Sequence, residues 1–335
     1  MRRIIDFKGN VSFLSYSAVG GYEEGRGPVG DKFDIIDNSS LFGQKTWEAA
    51  EAEMARCSLN LALKKGGFSP AEIDALLAGD LENQCVASSS GLFSFGIPYI
   101  GLYSACSTAT EALLLLSLLI SSDSIERGAC VTCSHNSAAE RQFRTPVEYG
   151  GQRSPTAQWT ATAAGAFCLG KGGNVVIREG LIGKIIDGLT MDTSNMGAAM
   201  ARAAFDSIYT YFSLSDKKPH DFDFIVTGDL GKYGSEILEE LLDKEVPGAS
   251  SIHLDCGNIL YDSNIQDAHA GASGCGCSAS VLASHFLPLL EKGRIDRILF
   301  LSTGALMSPT SVLQGENILG IAPLITIERR SCLGS

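Results

Sequence analysis

Hydrophobic positions along this chain fall into two kinds of pattern, helical spacing and short continuous runs. Residues 47–65 have helical spacing and are followed by Gly66 and Gly67, which predicts a helix that ends at these glycines. Residues 112–120 are the most apolar run and predict a core helix, because a membrane span needs about 20 apolar residues. Helices and strands alternate, so we expect an α/β fold. Short apolar runs predict buried strands at residues 75–78, 97–102, 129–133, 165–169 and 175–177.

The order of these elements is repeated in the second half of the chain. The sequence Gly-Asp-Leu closes an apolar run at residues 79–81 and again at 228–230, and predicted helices follow at residues 108–121 and 272–290. We therefore expect two halves related by a pseudo-twofold axis. They are residues 1–180 and residues 181–335, the second opening with a strand at 182–186. No linker rich in Pro, Ser or charge separates them, so one shared interface is expected.

Composition and charge narrow the range of functions. The 335 residues are 45% hydrophobic and 19% charged, with a net charge of −12 and no basic block. Nucleic-acid binding is therefore not expected. No apolar segment follows Met1, which predicts no signal peptide and a cytoplasmic or peripheral membrane location. The ten cysteines are expected to be reduced thiols. No metal site is expected, because the close pair Cys130 and Cys133 lies within a predicted strand.

Two turns carry candidate chemistry, one in each half. In residues 1–180 a helix begins at Cys106, where backbone N–H groups and the helix dipole favour a thiolate. The alternative is that Cys106 only packs in a crowded turn. In residues 181–335 His269 precedes another predicted helix and can meet a ligand or a thiol, the alternative being a capped or solvated histidine. Under the duplication the two turns are equivalent, and we expect them to meet between the halves.

The duplicated pattern, the cysteine turn and the sequence His-Ala-Gly-Ala-Ser-Gly at residues 269–274 resemble the thiolase superfamily. The resemblance implies a thiolase-like five-layered αβαβα fold. In it, Cys106 matches the acyl-accepting nucleophile and His269 the histidine that activates it. Thr303 lies in the stretch where thiolases carry a second cysteine, and Asp229 lies where ketoacyl synthases carry another histidine. Because condensation needs such an acid/base group, we expect binding without catalysis.

Residues 137–160 and 20–28 are similar, more specifically, to the stage V sporulation protein AD family of spore-forming bacteria. This resemblance implies non-catalytic binding of dipicolinic acid (pyridine-2,6-dicarboxylate) and participation in its transport into the developing spore and its release on germination. It also implies a homodimer that works with other proteins of the stage V sporulation A operon at the spore inner membrane. No cofactor is expected, and calcium would arrive only as the dipicolinate chelate.

The expected ligand site is the pocket equivalent to the thiolase active site. The three arginines could each bind a carboxylate of the ligand in bidentate fashion. Gln158 could donate hydrogen bonds, and the Trp159 indole could stack on the pyridine ring. One or two of the arginines would instead pair with Glu140 and Glu148. The expected ligand-binding residues are Cys106, His269, Arg141, Arg144, Arg153, Gln158, Trp159, Asp229 and Thr303.

Two other functions remain open at this point. The first is an acyl-CoA or acyl-carrier-protein acyltransferase, of the thiolase or ketoacyl-synthase kind, that uses Cys106 as its nucleophile. Retention of both Cys106 and His269 favours it, because a binding protein has no evident need of the pair. The second is a structural interaction protein with a vestigial pocket, which would neither bind the ligand nor accept an acyl group.

Overall fold

The computed structural model describes residues 2–143 and 152–330. The strands are β1 (Ile5–Gly20), β2 (Ile35–Ile36), β3 (Ala75–Gly79), β4 (Tyr99–Gly101), β5 (Gly128–Ser134), β6 (Trp159–Thr160), β7 (Ala163–Gly170), β8 (Val175–Leu181), β9 (Ile186–Asp187), β10 (Phe224–Thr227), β11 (His253–Asp255), β12 (Ala272–Ser273), β13 (Arg297–Leu301), β14 (Gly304–Leu306), β15 (Leu319–Ile321) and β16 (Leu324–Arg329). The helices are α1 (Tyr22–Arg26), α2 (Trp47–Gly66), α3 (Val86–Leu92), α4 (Thr108–Ser121), α5 (Asn136–Phe143), α6 (Met196–Leu214), α7 (Gly231–Glu245), α8 (Cys256–Leu260), α9 (Cys275–Val281), α10 (Leu287–Glu291) and α11 (Pro309–Leu313).

One twisted sheet runs through the molecule, and its strand order is the same from the centre outwards in both directions. Strand β1 pairs with β8 at the centre. From β1 the order is β7, β5, β3 and β4, and from β8 it is β16, β13, β10 and β11. The pairing directions match as well, since β3 is parallel to β4 and β5 while β10 is parallel to β11 and β13. The fold thus consists of two pseudo-twofold-related halves.

Helices cover both faces of each arm of the sheet and complete the five layers. Buried residues of α2 pack on one face of the first arm, and buried residues of α6 and α7 pack on the outer face of the second. Helix α4 and the α9–α10 helix lie between the two arms, in the largest hydrophobic cluster. Residues along the strands alternate accordingly: Leu76 and Val131 face the outer cluster, and Leu77 and Cys130 the central one.

Local sequence accounts for the ends of the principal helices. The Thr46 hydroxyl accepts a hydrogen bond from Ala49 N at 3.3 Å and caps the start of α2. Gly67 ends the helix with φ of 71°, a conformation that glycine adopts without strain. The helices predicted at residues 47–65 and 108–121 are confirmed, and the one predicted at 272–290 is confirmed from Cys275 onwards, as α9, a π-helical turn and α10 in direct succession; Ala272–Ser273 form β12 instead.

Two details of the sequence prediction differ from the structure. The strand expected at residues 182–186 is wrong, because β8 ends at Leu181 and β9 covers only Ile186–Asp187. The proposed division into residues 1–180 and 181–335 stays a prediction, and β8 runs across that boundary. No helix in the described ranges is long and apolar enough to cross a membrane.

Candidate functional site

A cavity of about 110 Å³ lies where the two halves meet, at the carboxyl ends of β3, β10 and β13. Cys106 lines it from a single 3₁₀ turn, Ala105–Ser107, that leads directly into α4. Ala105 has φ of 49°, which is unusual for a residue with a side chain. The turn is held by two hydrogen bonds to backbone oxygens, from Ser107 Oγ to Ser104 O at 2.6 Å and from Thr108 Oγ1 to Ala105 O at 2.7 Å. The thiol therefore has a fixed position at the cavity wall.

The carboxyl group of Asp229 lies beside the Cys106 thiol and comes from the other half. Its Oδ1 accepts a hydrogen bond from Thr303 Oγ1 at 2.7 Å, and its Oδ2 accepts one from Gly274 N at 3.0 Å. The Cys106 thiol lies close enough to this carboxyl group for each to shift the pKa of the other. Asp229 and Thr303 are fully buried, and Cys106 is half-buried. Three of the residues that the sequence singled out are thus brought together.

The pKa values of the two groups are coupled through this contact. Burial raises the pKa of Asp229 from 3.8 to about 7, although the hydrogen bonds from Thr303, Cys106 and Gly274 act in the opposite direction. Burial, the neighbouring Asp229 charge and Cys275 raise the pKa of Cys106 well above its usual 9.0. Because a carboxylate rather than an imidazolium faces the sulfur, the arrangement stabilises the thiol and not the nucleophilic thiolate.

Two short strands form the adjoining wall. Strands β6 and β12 pair in parallel, with Trp159 opposite Ala272 and Thr160 opposite Ser273. Thr160 and Ser273 line the cavity. Gln158 is buried behind them, and its Nε2 donates to Asp229 O at 2.7 Å and to Ala272 O at 2.9 Å. Gln158 therefore holds the two strands against the Asp229 turn and does not line the cavity.

His269 lies apart from Cys106. Its Nδ1 is 2.8 Å from Ser154 O, and its Nε2 forms a 2.8 Å ion pair with Asp267. Like Ala105, it has a left-handed backbone conformation, with φ of 45°. Among the described residues that line the cavity, the His269 turn contributes Ser273 but not the imidazole. The turns meet as the sequence predicts, whereas the expected contact between imidazole and thiol is not formed, because local partners hold the ring.

The predicted arginine cluster is not assembled at the cavity. Arg141 pairs with Glu48 on α2 and lies over the Trp47 ring. Arg153 pairs with Asp267 and stacks on Trp159, 4.6 Å from the ring centroid. Arg144 lies outside the described residues, so its placement stays a prediction. The expected scaffold pairs thus account for two of the three guanidinium groups, although with Glu48 and Asp267 as partners.

Trp159 faces a second cavity, of about 320 Å³, on the other side of the β6–β12 pair. Arg26, Tyr261 and Gln266 also line it. Because neighbouring residues of a strand point to opposite faces, Thr160 and Trp159 necessarily serve different cavities. The predicted stacking of Trp159 on a ligand beside Cys106 is therefore incompatible with this arrangement.

Several residues that line the Cys106 cavity were not predicted. Met196 and Met200 reach it from successive turns of α6, Met307 from the segment after β14, and Tyr103 from the segment before the cysteine turn. Glu140 on α5 also lines it and accepts a hydrogen bond from Thr160 Oγ1 at 3.1 Å. The i, i+4 spacing of two methionines was the only signal in the sequence, and it is equally typical of a core helix.

The described lining is apolar and acidic. It contains the carboxyl groups of Glu140 and Asp229 and, within residues 2–143 and 152–330, no Lys, Arg or His. The same part of the chain contains no cluster of three or more His, Cys, Asp or Glu that could hold a metal ion. Its nine cysteines are free thiols, seven of them buried. Local electrostatics alone would therefore disfavour a free dianion at this site.

Comparisons with known proteins decide the family. A family model described as stage V sporulation protein AD (SpoVAD) matches residues 1–328. The chain is also 39% identical over 324 residues to stage V sporulation protein AD of Bacillus subtilis (strain 168), covering 96% of each protein. This chain belongs to the stage V sporulation protein AD family. The sequence-based identification is confirmed, and the chain is a sporulation protein.

Solved structures place this member of the SpoVAD family on the thiolase-like fold. The 3-oxoacyl-[acyl-carrier-protein] synthase III of Aquifex aeolicus VF5 superimposes with a TM-score of 0.59 and 13% identity, covering 94% of this chain and 99% of that one. A single-substitution variant of Xanthomonas campestris OleA gives a TM-score of 0.60 and 14% identity, with 96% and 99% covered. At these identities the likeness establishes the fold, and the predicted fold class is confirmed.

Proposed function

We propose that this SpoVAD-family chain binds dipicolinic acid without catalysis, in the cavity beside Cys106. We further propose that it takes part in moving this ligand into the developing spore and out of it on germination, with other proteins of the stage V sporulation A operon. The observation that carries the non-catalytic part is the Asp229 carboxyl group on the Cys106 thiol. It raises the pKa of the sulfur, which disfavours the thiolate that nucleophilic catalysis needs.

The charge of the ligand has to be compensated in this acidic cavity. Pyridine-2,6-dicarboxylate carries two negative charges at neutral pH, and Glu140 and Asp229 add two more carboxyl groups. Asp229 has a pKa raised to about 7, so it is half protonated near neutrality and can then donate a hydrogen bond to a ligand carboxylate. Calcium bound to the ligand would neutralise it directly. We propose that the ligand binds as its calcium chelate or together with a proton on Asp229, with no cofactor resident in the protein.

Calorimetric titration tests this proposal. Saturable binding of pyridine-2,6-dicarboxylate, with and without calcium, is expected, and none for the 3,5-isomer, whose ring nitrogen does not lie between the two carboxylates. Leu306→Trp fills the cavity mouth and should abolish binding, whereas Leu313→Trp, at a residue that is 88% exposed and outside the cavity, should not. Absence of heat with both isomers would reject the proposal. Equal loss in both tryptophan variants would place the site elsewhere.

An acyltransferase function is the second candidate, and one observation favours it. Cys106 lines the cavity in the turn that leads into α4, and the nearby backbone N–H of Gly274 acts to lower the pKa of the thiol. Incubation with acetyl-CoA followed by mass spectrometry distinguishes the two functions. A thioester on Cys106 at neutral pH supports acyl transfer; an unmodified thiol supports binding alone.

We also propose a homodimer formed through β4. This strand lies at the end of the sheet, and its residues Tyr99 and Ile100 are 39% and 46% exposed. An apolar edge strand with free backbone groups pairs readily with its own copy about a twofold axis. Sedimentation of wild type and Ile100→Lys is the test. A dimer that dissociates in the variant is expected, and a wild-type monomer would exclude it.

A further inference from the structure

A bulge in β1 brings cationic side chains of several segments together. Opposite β8 the register of β1 shifts between Asp6 and Val11, so residues 7–10 of β1 stand opposite the single residue Arg178 of β8. Lys8 and Gly9 form the tip of this bulge, with φ of 57° and 64°. The left-handed conformation costs glycine nothing but is unfavourable for lysine. The bulge therefore holds the exposed Lys8 in a defined place, next to the side chains that pack against Gly9.

Two guanidinium groups lie against Gly9. Arg330 Nη2 donates a hydrogen bond to Gly9 O at 3.0 Å. A methyl group added to Gly9 would lie only 2.6 Å from Arg178 Nη1, so that group covers the glycine. Lys171 lies near Lys8, because both act on the same carboxyl group. Lys171 forms a 2.5 Å ion pair with Asp123 and lowers the pKa of that group, and Lys8 makes a smaller contribution in the same direction. We call Lys8, Lys171, Arg178 and Arg330 the bulge cluster.

Carboxylates near the bulge cluster neutralise only part of its charge. Asp123 is taken by Lys171, and Glu328 lies 2.8 Å from Arg297 Nε but 4.0 Å from Arg178 Nε. Asp6 accepts a hydrogen bond from the backbone of Lys8 and not from its ammonium group. Within the described ranges neither Lys8 nor Arg330 forms an ion pair. This local excess of positive charge stands out on a chain with a net charge of −12.

We propose that the bulge cluster is a docking surface for the phosphate-bearing headgroups of anionic phospholipids. Its side chains line neither the Cys106 cavity, nor the Trp159 cavity, nor the groove between α2 and α3. An exposed cluster outside these three cavities gives a small anion one or two contacts, whereas a flat anionic surface meets all the cations together. A long nucleic acid would extend over the acidic remainder of the surface and be repelled.

The location of the cluster is compatible with ligand binding during docking. Arg330 follows the last residue of β16, which is antiparallel to β13, so the cluster lies towards the amino ends of the parallel strands. The Cys106 cavity lies at their carboxyl ends. A chain held at a lipid surface by the bulge cluster therefore keeps the cavity mouth clear of the headgroups. This inference rests on the cations of the bulge cluster and not on the identity of the ligand.

Vesicle flotation of the full chain tests the inference. Vesicles of phosphatidylglycerol and phosphatidylcholine should carry the protein at low salt, and pure phosphatidylcholine vesicles should not. Each cation near such a surface strengthens binding about fivefold, so Lys8→Gln with Arg330→Gln should weaken it about 25-fold. Lys64→Gln with Lys244→Gln removes the same charge from exposed positions on α2 and α7 and is the matched control. Thermal unfolding of each variant verifies that it is folded.

Selective loss of flotation in the bulge-cluster variant supports the inference. Failure of the wild type to float, or equal weakening in both variants, would overturn it. Competition by millimolar inorganic phosphate at constant ionic strength would also overturn it, since the cluster would then bind a free anion. A gel-shift assay with duplex DNA should give no complex. Because flotation needs no dicarboxylate, a negative calorimetric titration leaves this result independent of the proposed function.

Discussion

Asp229→Asn separates the cost of a buried carboxyl group from the benefit of its hydrogen bonds. Folding raises the pKa of Asp229 from 3.8 to about 7, a difference of about three units. Each unit corresponds to about 1.4 kcal/mol, so the ionised carboxyl group destabilises the fold by about 4 kcal/mol above pH 7. Asparagine is never charged but cannot replace every hydrogen bond to Thr303, Gly274 and Cys106, which costs about 1–2 kcal/mol.

The sign of the effect reverses with pH. Between about pH 4 and pH 7 the folded wild type binds a proton on Asp229 that the unfolded chain has lost, so its stability falls as the pH rises through this window. At pH 8 we therefore expect Asp229→Asn to be more stable than the wild type by about 2–3 kcal/mol. At pH 4 the folded wild type is protonated and the unfolded chain, with a pKa of 3.8, is close to half protonated, so the pKa difference contributes little and the variant should be less stable by about 1–2 kcal/mol.

Urea unfolding at pH 4, 5, 6, 7 and 8 measures this difference. Glu24 is also buried, with a pKa raised to about 7, but it is present in both proteins and cancels in the comparison. The free energy of unfolding of the variant minus that of the wild type should rise by about 1.4 kcal/mol per pH unit between pH 4 and 7 and then level off. A difference that stays constant across the range would refute the raised pKa and with it the assigned charge state of the cavity.

Three further predictions follow from the same contacts. Iodoacetamide should alkylate Cys106 slowly at pH 7 and faster in Asp229→Asn, because removal of the carboxylate lowers the thiol pKa; peptide mass spectrometry measures the rates. His269→Ala should change the affinity for pyridine-2,6-dicarboxylate less than about twofold, since its partners are Ser154 and Asp267, and calorimetry checks this. Gln158→Ala should reduce the free energy of unfolding by about 2–3 kcal/mol, because two buried carbonyl groups lose their donor.

Each of these predictions has an outcome that contradicts it. Equal alkylation rates would mean that Asp229 does not control the sulfur. A large loss of affinity in His269→Ala would mean that the imidazole contacts the ligand. For Gln158→Ala, a small change in stability would indicate that water replaces the lost donor, and Gln158→Met, which keeps the side-chain length without a donor, separates the lost hydrogen bonds from the lost packing.

Much of the fold could be predicted because its signals are local. Helix α2 is predicted from its helical spacing and from Gly67 after it, and α4 from its apolar run. The repeated Gly-Asp-Leu sequences mark the ends of β3 and β10, which have equivalent places in the two arms. Strand β1 escaped prediction, since its 16 residues serve two neighbouring strands and are interrupted by the bulge at Lys8. No short-range pattern encodes such a role.

The site could be predicted only in part. Cys106, Asp229 and Thr303 follow the carboxyl ends of strands, and sheet geometry brings such positions together. The directions of the Arg141 and Arg153 side chains depend instead on which carboxylate lies nearest in space, and neither Glu48 nor Asp267 can be chosen from spacing alone. The prediction for these arginines erred because a local ion pair satisfies a guanidinium group as well as a ligand does.

The seam between the halves gives the cavity a mechanical character. Cys106 belongs to the first arm, and Asp229 and Thr303 to the second. Two hydrogen bonds join the halves close to the cavity. The Thr110 hydroxyl donates to Ser302 Oγ and accepts from Ser302 N, each at 2.8 Å. A ligand bound between the arms contacts both of them, so the binding energy that retains the ligand also resists separation of the arms. Tension applied across the seam by a partner would therefore eject the contents of the cavity without any chemical step.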